Sequence, residues 1–296
     1  MKINDEQAGN RLDTFLAENT ELTRSKITKL IKAGNILING ETTKAGYSLR
    51  VDDQIDIDYE EEVMEAKPED IPLDIVYEDN DVIVVNKTNK MVVHPAAGNK
   101  TGTLVNALLF HSNELSKVNG EFRPGIVHRI DAETTGLLMV AKNDNAHNIL
   151  AEQLKNKTTH RIYYALVWGV INNETGTIDA PIGRDTRDRK KMTVTGENSK
   201  EAVTHFKVIE RYKNATLIEL KLETGRTHQI RVHMNYIGHP VVNDPVYGKK
   251  KLFDETGQCL HAKELGFIHP TTKKFIKFDS ELPTSFKNIQ KILEEE

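Results

Sequence analysis

The chain has 296 residues, 38% of them hydrophobic, and a formal net charge of -4. It is long enough for more than one core, and its weakly acidic balance gives no overall attraction for nucleic acid, so any basic surface must be local. One cysteine, Cys259, excludes an intramolecular disulfide framework and a multi-cysteine zinc site. The amino terminus, MKINDEQAGN, lacks the apolar core of a secretory signal, and no apolar run approaches the ~20 residues of a membrane helix. The expectation is a cytoplasmic protein with no membrane contact.

In chain order, residues 1–60 read as a small α+β unit. Leu12, Phe15 and Leu16 have helical spacing. Thr23 can cap a second helix whose apolar stripe is Ile27, Leu30 and Ile31, with Gly34 as its stop. NILING reads as a short strand ending in an Asn-Gly turn, and DDQIDIDYE alternates apolar and acidic residues. Residues 61–70, charged and containing Pro68, read as a linker. Residues 71–296 read as a β-rich domain with long loops. Its strand candidates are DIVYEDNDVIVVNK (a hairpin around Glu78 to Asp81), GLLMVAK, RIYYALVWGV, AVTHFKVIERY, ATLIELKLETG and KFIKFD. Its helix candidates are GTLVNALLFHS, NAHNILAEQLKN and THQIRVHMNYIG. The fold class is α+β, without the strand-helix alternation of a doubly wound sheet.

Two clusters stand out for chemistry. On the second helix Arg24, Lys26, Lys29 and Lys32 leave the apolar stripe free and face solvent, which is usually no more than a solvated face. In GIVHRIDAETTGLLMVAKND an imidazole, a guanidinium and a carboxylate (His128, Arg129, Asp131) fall within four residues, between a Pro-Gly turn and a Thr-Thr-Gly turn. Asp131 could simply cap a turn, and Arg129 could be an ordinary ion-pair partner. A loop at a strand edge is also where functional groups sit.

The motifs lie in an order that supports the second view. Arg24-Ser25, Gly34, Ile36 to Gly40 and Asp52-Asp53 resemble the S-four-type RNA-binding module, over about 50 residues. HRIDAETTGLL resembles the signature of the RluA/RluD-type pseudouridine synthases, with Ala132 standing for a lysine. VVNKTNKMVVHPAAG resembles the family's Asn-Lys-Pro-x-Gly-Met-x-x-His-Pro. Thr88 and Lys90 replace its Pro and Gly, and Asn89 can take the left-handed conformation there. RIYYALVWG matches a Lys-x-Tyr-x-Ala strand, with Arg161 for the lysine. PIGRDTRDRKKM, LETGRTHQIRVHMNYIGHPVVNDPVYG and LHAKELGFIHP follow in order, so the matches span roughly residues 71 to 283.

The resemblance implies a pseudouridine synthase domain with a mixed or antiparallel sheet, which isomerises uridine in RNA, most naturally large-subunit rRNA, without cofactor or metal. Such enzymes detach uracil at nitrogen 1 and reattach it through carbon 5, which requires one ionised, fixed carboxylate. Aspartate is ordinarily ionised at neutral pH, with a pKa of about 3.9. By resemblance that carboxylate is Asp131, as nucleophile or base. Arg231 would pair with it, in bidentate fashion. Arg129 would fill the space vacated by the flipped base, and Tyr163 would stack on the uracil. Arg184, Arg187, Arg189, Lys190 and Lys191 would contact phosphates, as would the cations of the second helix. A monomer is expected. His228 and His233, five apart on one helix, are poorly placed for a shared metal, and with His239 they read as packing and hydrogen-bonding residues. The rivals are a two-carboxylate glycoside hydrolase, with Glu133 as the second acid, and an inactive RNA-binding or ribosome-assembly protein.

Overall fold

A computed structural model of the chain describes residues 1–58, 66–96, 98–120, 123–188, 190–248 and 252–296. The chain folds as two compact units, Met1–Val63 and Met64–Glu296.

The first unit holds helices α1 (Leu12–Asn19) and α2 (Arg24–Ala33) and strands β1 (Ile36–Ile38), β2 (Glu41–Thr42) and β3 (Ile55–Ile57). The strands form an antiparallel sheet in the order β2-β1-β3. Leu12, Phe15, Leu16, Ile27, Leu30 and Ile31 pack on Ile36, Ile38 and Ile55 to make one small core. The boundaries of α2 follow side-chain chemistry. The Thr23 hydroxyl accepts the Lys26 N–H, and Gly34 ends the helix at φ 79°, where a Cβ would be strained. The β1–β2 turn puts both Asn39 and Gly40 at positive φ, as a two-residue hairpin requires.

The second unit is built on a nine-stranded sheet. In chain order its elements begin with β4 (Ile75–Glu78), β5 (Val82–Lys87), α3 (Leu104–His111), β6 (Thr135–Ala141), α4 (Asp144–Lys155) and β7 (His160–Trp168). Next come β8 (Thr175–Asp179), β9 (Ile182–Arg184), β10 (Met192–Val194), β11 (Ser199–Lys200), β12 (Val203–Arg211) and β13 (Ala215–Leu222). The last are α5 (Gln229–Tyr236), β14 (Leu260–Ile268), β15 (Phe275–Asp279) and α6 (Thr284–Glu295). The strand order is β4-β5-β6-β14-β7-β13-β12-β8, with β15 also on β14, while β9, β10 and β11 form a separate small sheet. All pairings in the large sheet are antiparallel except β14 with β6.

Helices cover both faces of this sheet, which explains why β5, β6 and β7 read as nearly continuous apolar runs. On one face Ile83, Leu138, Val140, Tyr163 and Ala165 pack with Leu104 and Leu108 of α3 and Ile230 and Met234 of α5. On the other, Val84, Leu137, Met139 and Phe267 pack with Ala146 and Leu150 of α4, and Leu166, Trp168 and Leu217 pack with Phe286, Ile289 and Leu293 of α6.

The sequence pattern passed over the short strands β8 to β11 and two longer elements. LHAKELGFI is β14, inserted between β6 and β7, and the C-terminal segment is the amphipathic helix α6. The segment expected to be a linker also differs from a free tether. Residues 61–65 lie outside the described residues, but Asn106 of α3 donates to the Lys67 carbonyl (2.7 Å) and accepts the Glu69 N–H on its own carbonyl (3.0 Å). The Glu69 carboxylate accepts the Gly102 N–H at 3.0 Å.

Candidate active site

The loop that carries His128, Arg129 and Asp131 runs into β6 and is fastened at several points. Gly125 donates to Ser116 and accepts from Ala141, on the edge of β6. The His128 Nε2 accepts the Met139 N–H at 3.1 Å, and burial pushes this imidazole down to about 3, so it is a neutral acceptor. Below the loop the buried Lys87 Nζ donates to the carbonyls of Thr88, Met91 and Ala132 at 2.8, 3.0 and 2.8 Å. Burial pulls the Lys87 ammonium down to about 7 against the attraction of Asp131, while three carbonyls match its three donors. Beyond the loop Gly136 lies at φ 107°, and a Cβ there would come within 2.3 Å of the Ala262 carbonyl oxygen. Thr135 and Gly136, expected in a turn, instead open β6, which meets β14 at a point where only glycine fits. In the Asn-Lys motif it is Lys90 that takes positive φ, at 60°, and not Asn89 as expected. Asn89 instead accepts the Lys90 N–H on its side chain at 2.7 Å and donates to the Thr256 carbonyl.

Arg231 projects from α5 to the Asp131 carboxylate, Nη1 to Oδ2, at 3.0 Å. The bidentate geometry expected for this pair goes elsewhere. Nε and Nη2 of Arg231 bond the two oxygens of Asp244 at 2.6 and 2.9 Å, and Asp244 also accepts the N–H groups of Val246 and Tyr247. The Arg231 side chain is 5% exposed and that of Asp244 0%. Burial opposes the charge on Arg231, but the two carboxylates outweigh it and hold the guanidinium above its usual range. It also lies 5.1 Å over the ring of Tyr247. Asp131 is thus fixed through one oxygen. Among the described residues its Oδ1 accepts no hydrogen bond.

A cavity of about 80 Å³ opens in front of this carboxylate, lined by Arg129, Asp131, Arg161, Tyr163, His228 and Arg231 among others. Tyr163 lies on the α5 face of β7, with its hydroxyl pushed up first by burial and then by Asp131, against Arg161. Arg129 is exposed and, among the described residues, makes no hydrogen bond or ion pair. The cavity therefore unites all four residues singled out for chemistry.

Two neighbours were missed in sequence. Asp244 carries no signal beyond its place before a Pro-Val-Tyr-Gly turn. His228 was expected to be a packing and hydrogen-bonding residue on a helix; it does bond the Tyr247 hydroxyl, through Nδ1 at 2.9 Å, but it is the N-cap of α5, at φ 57°, with Nε2 4.0 Å from Asp131 Oδ2. Its spacing of three from Arg231 was the available clue. Burial pushes its imidazole down, against Asp131. His233 is enclosed by Thr204 and the Ala180 carbonyl, and His239 faces the Trp168 carbonyl, so the three histidines do not converge. One His/Asp group close enough to share a metal occurs among the described residues: Asp79, Asp81 and His269. Its atoms are already engaged. The His269 Nε2 meets Asp79 at 2.6 Å, and its Nδ1 accepts the Thr271 and Thr272 N–H groups.

The other cations lie on surfaces. On α2, Arg24, Lys29 and Lys32 are exposed and Lys26 half-buried, and Arg24 donates to Asp13 at 3.0 Å. Arg184, Arg187 and Lys190 are exposed and Lys191 half-buried, around a turn closed by Asp185 and Asp188. Arg189 lies outside the described residues.

Comparison with known proteins agrees with this geometry. A family profile described as RNA pseudouridylate synthase matches residues 81–236, and one described as S4 domain matches residues 10–55. An RNA pseudouridine synthase of Bacillus subtilis is 53% identical over 94% of this chain and 92% of its own length. The ribosomal large subunit pseudouridine synthase D of Zymomonas mobilis is 44% identical over 98% of this chain and 96% of its own. Among solved structures, human RNA pseudouridylate synthase domain containing 1 superposes with a TM-score of 0.58 at 27% identity, covering 79% of this chain and 97% of that one. The chain belongs to the RNA pseudouridylate synthase family and is an isomerase that converts uridine in RNA to pseudouridine.

Proposed function

We propose that this synthase modifies large-subunit ribosomal RNA, as a cytoplasmic monomer, with residues 1–60 as an RNA-binding domain and residues 71–296 as the catalytic domain. Asp131 is the catalytic carboxylate. Its Oδ1 reaches the ribose, either attacking the anomeric carbon or removing the proton from the neighbouring carbon to give a glycal. In both routes the bond to nitrogen 1 breaks, the uracil turns, carbon 5 bonds to the anomeric carbon and the carbon-5 proton is lost; in the first the ester to Asp131 breaks as that bond forms, and in the second the proton taken by Asp131 returns to the neighbouring carbon. Arg231 orients Asp131, Tyr163 stacks on the uracil, and Arg129 enters the stack the base has left. Arg24, Lys26, Lys29 and Lys32, and the loop cations Arg184, Arg187, Arg189, Lys190 and Lys191, contact phosphates.

The observation that carries this reading is the single bond from Arg231 to Asp131 in the cavity shared with Tyr163. It fixes a charged carboxylate and leaves one oxygen free to react. Carbodiimide primer extension on rRNA and tRNA from cells with and without the gene tests it. The loss of one or a few pseudouridines in large-subunit rRNA is expected. Their loss from tRNA alone refutes the substrate assignment, and an unchanged pattern leaves an RNA-binding role.

A further inference from the structure

Arg161 is a buried cation that no carboxylate among the described residues balances. It is 9% exposed, its Nε is buried without a hydrogen-bond partner, and among the described residues no carboxylate forms an ion pair with it. A buried guanidinium is costly unless something pairs with it. Arg231, in the wall of the same cavity, makes three bonds to carboxylates, so the fold supplies partners where the charge must be held internally. At Arg161 the described residues supply none, and the position faces two cavities. One is the small cavity beside Asp131 and Tyr163. The other, of about 470 Å³, is lined by Arg129, Lys155, Lys157, Arg161 and Arg226, with Glu201 and Glu223. These acids are already engaged: Glu223 holds Lys157 at 2.8 Å and His205 at 2.7 Å, and Glu201 lies 4.0 Å from Lys157. Lys155, in the larger cavity, and Arg129, Arg161 and Arg226, which line both, are left without carboxylate partners among the described residues, so the wall common to the cavities is cationic.

We propose that Arg161 binds the backbone phosphate of the nucleotide whose uracil enters the cavity beside Tyr163, and that the larger cavity carries the adjoining strand past Lys155 and Arg226. The spacing suits a single nucleotide. Arg161 and Tyr163 are two apart on β7, so they share a face at a separation of about 7 Å, comparable with that between a base and its own phosphate. The guanidinium fork matches phosphate oxygens. The inference rests on the assignment of the small cavity to the target uracil.

Binding without turnover tests it. The probe is a fluorescein-labelled nine-nucleotide RNA with one central uridine between flanks of four adenosines, and the protein is the full chain carrying Asp131→Asn. Adding Arg161→Met is expected to weaken binding about tenfold and to lower the salt slope by about 0.7, while Arg161→Lys keeps the slope. A methylphosphonate on one side of the uridine, which removes that phosphate's charge, should weaken the Arg161 protein about tenfold and leave the Arg161→Met protein unaffected. A folded Arg161→Met chain with an unchanged slope and the same methylphosphonate loss overturns the proposal. So does a lack of effect of either neutral linkage on the Arg161 protein, a result that does not depend on how the variant folds. If the wild-type chain forms no pseudouridine, the assigned chemistry fails separately, and these binding results still stand.

Discussion

The two units contain mirror-image charge clusters. In the first, one carboxylate serves two guanidiniums: Asp13 is bonded by Arg11 and Arg24, each side chain 59% exposed. In the second, one guanidinium serves two carboxylates: Arg231 joins Asp131 and the fully buried Asp244. The first cluster leaves a net positive charge at the surface, beside the cations of α2. The second leaves a net negative charge at the wall of a cavity. An exposed cation keeps its reach and attracts phosphate through a screened, orientation-tolerant force. A buried carboxylate must be held by partners from the fold, and those partners fix where it points. The contrast separates binding from chemistry within one chain, and it can be broken at either end.

The largest effect is expected at the reacting oxygen. Asp131→Asn should lower turnover by at least about 10⁴-fold while RNA affinity stays within about twofold. Turnover near the wild-type value in single-turnover assays would remove Asp131 from the chemistry.

Asp244→Asn tests the support behind it. Removing one partner of a buried ion pair should cost about 3 kcal/mol of stability, read by urea denaturation. Because Arg231 then loses its anchor, kcat should fall while KM stays nearly constant. A loss confined to KM would mean that Asp244 supports RNA binding instead.

Acid should separate the two units. The half-buried His128 is neutral, with its pKa moved from 6.5 to about 3 by desolvation of the ring, so below pH 6.5 the unfolded chain takes up a proton that the folded chain refuses. The second unit should lose stability as pH falls from 6.5 toward 3. His128→Gln, which keeps an acceptor for Met139, should lessen that slope, to which His94 and His261, each pushed down to about 4 by burial, also contribute. Asp13 behaves differently: Arg11, with help from Arg24 and against burial, holds it well below its ordinary 3.8, so its contribution to the first unit is lost only when pH falls below about that value. Equal acid sensitivity from pH 6.5 in both units, followed by amide exchange, would contradict this assignment.

The smallest effect belongs to the exposed helix. Lys29→Ala with Lys32→Ala should weaken RNA binding several-fold and reduce the salt slope by roughly one to two, with no change in kcat at saturating RNA. A drop in kcat would place α2 closer to the chemistry than its exposure suggests.

Much of the fold was legible from local pattern. Thr23 and Gly34 bound α2 where a hydroxyl acceptor and a left-handed stop were expected, and the Asn39-Gly40 turn joins β1 to β2. Asp131 and Arg231 were paired by resemblance and do meet, although they stand 100 positions apart. What local pattern missed shares a different cause. β14 mixes apolar and charged residues, and it is a central strand only because β6 and β7 accept it from either side. Lys90 takes a conformation usually left to glycine or asparagine, a choice not visible in a lysine.

The sequence alone determined the elements whose signals are short-range, because caps, turns and hydrophobic periods act over a few residues of chain. The carboxylate proposed to react was singled out by the resemblance of its motif, in an ordered series of such motifs, and not by local spacing, which left Asp131 open as a simple turn cap. Only the tertiary structure decided how that group is held: Asp244 takes two bonds of Arg231, Asp131 takes one, and His228 stands at 4.0 Å. These partners come from separate elements, and their pairing follows from burial, which makes the charge on Arg231 costly unless carboxylates from elsewhere in the chain meet it.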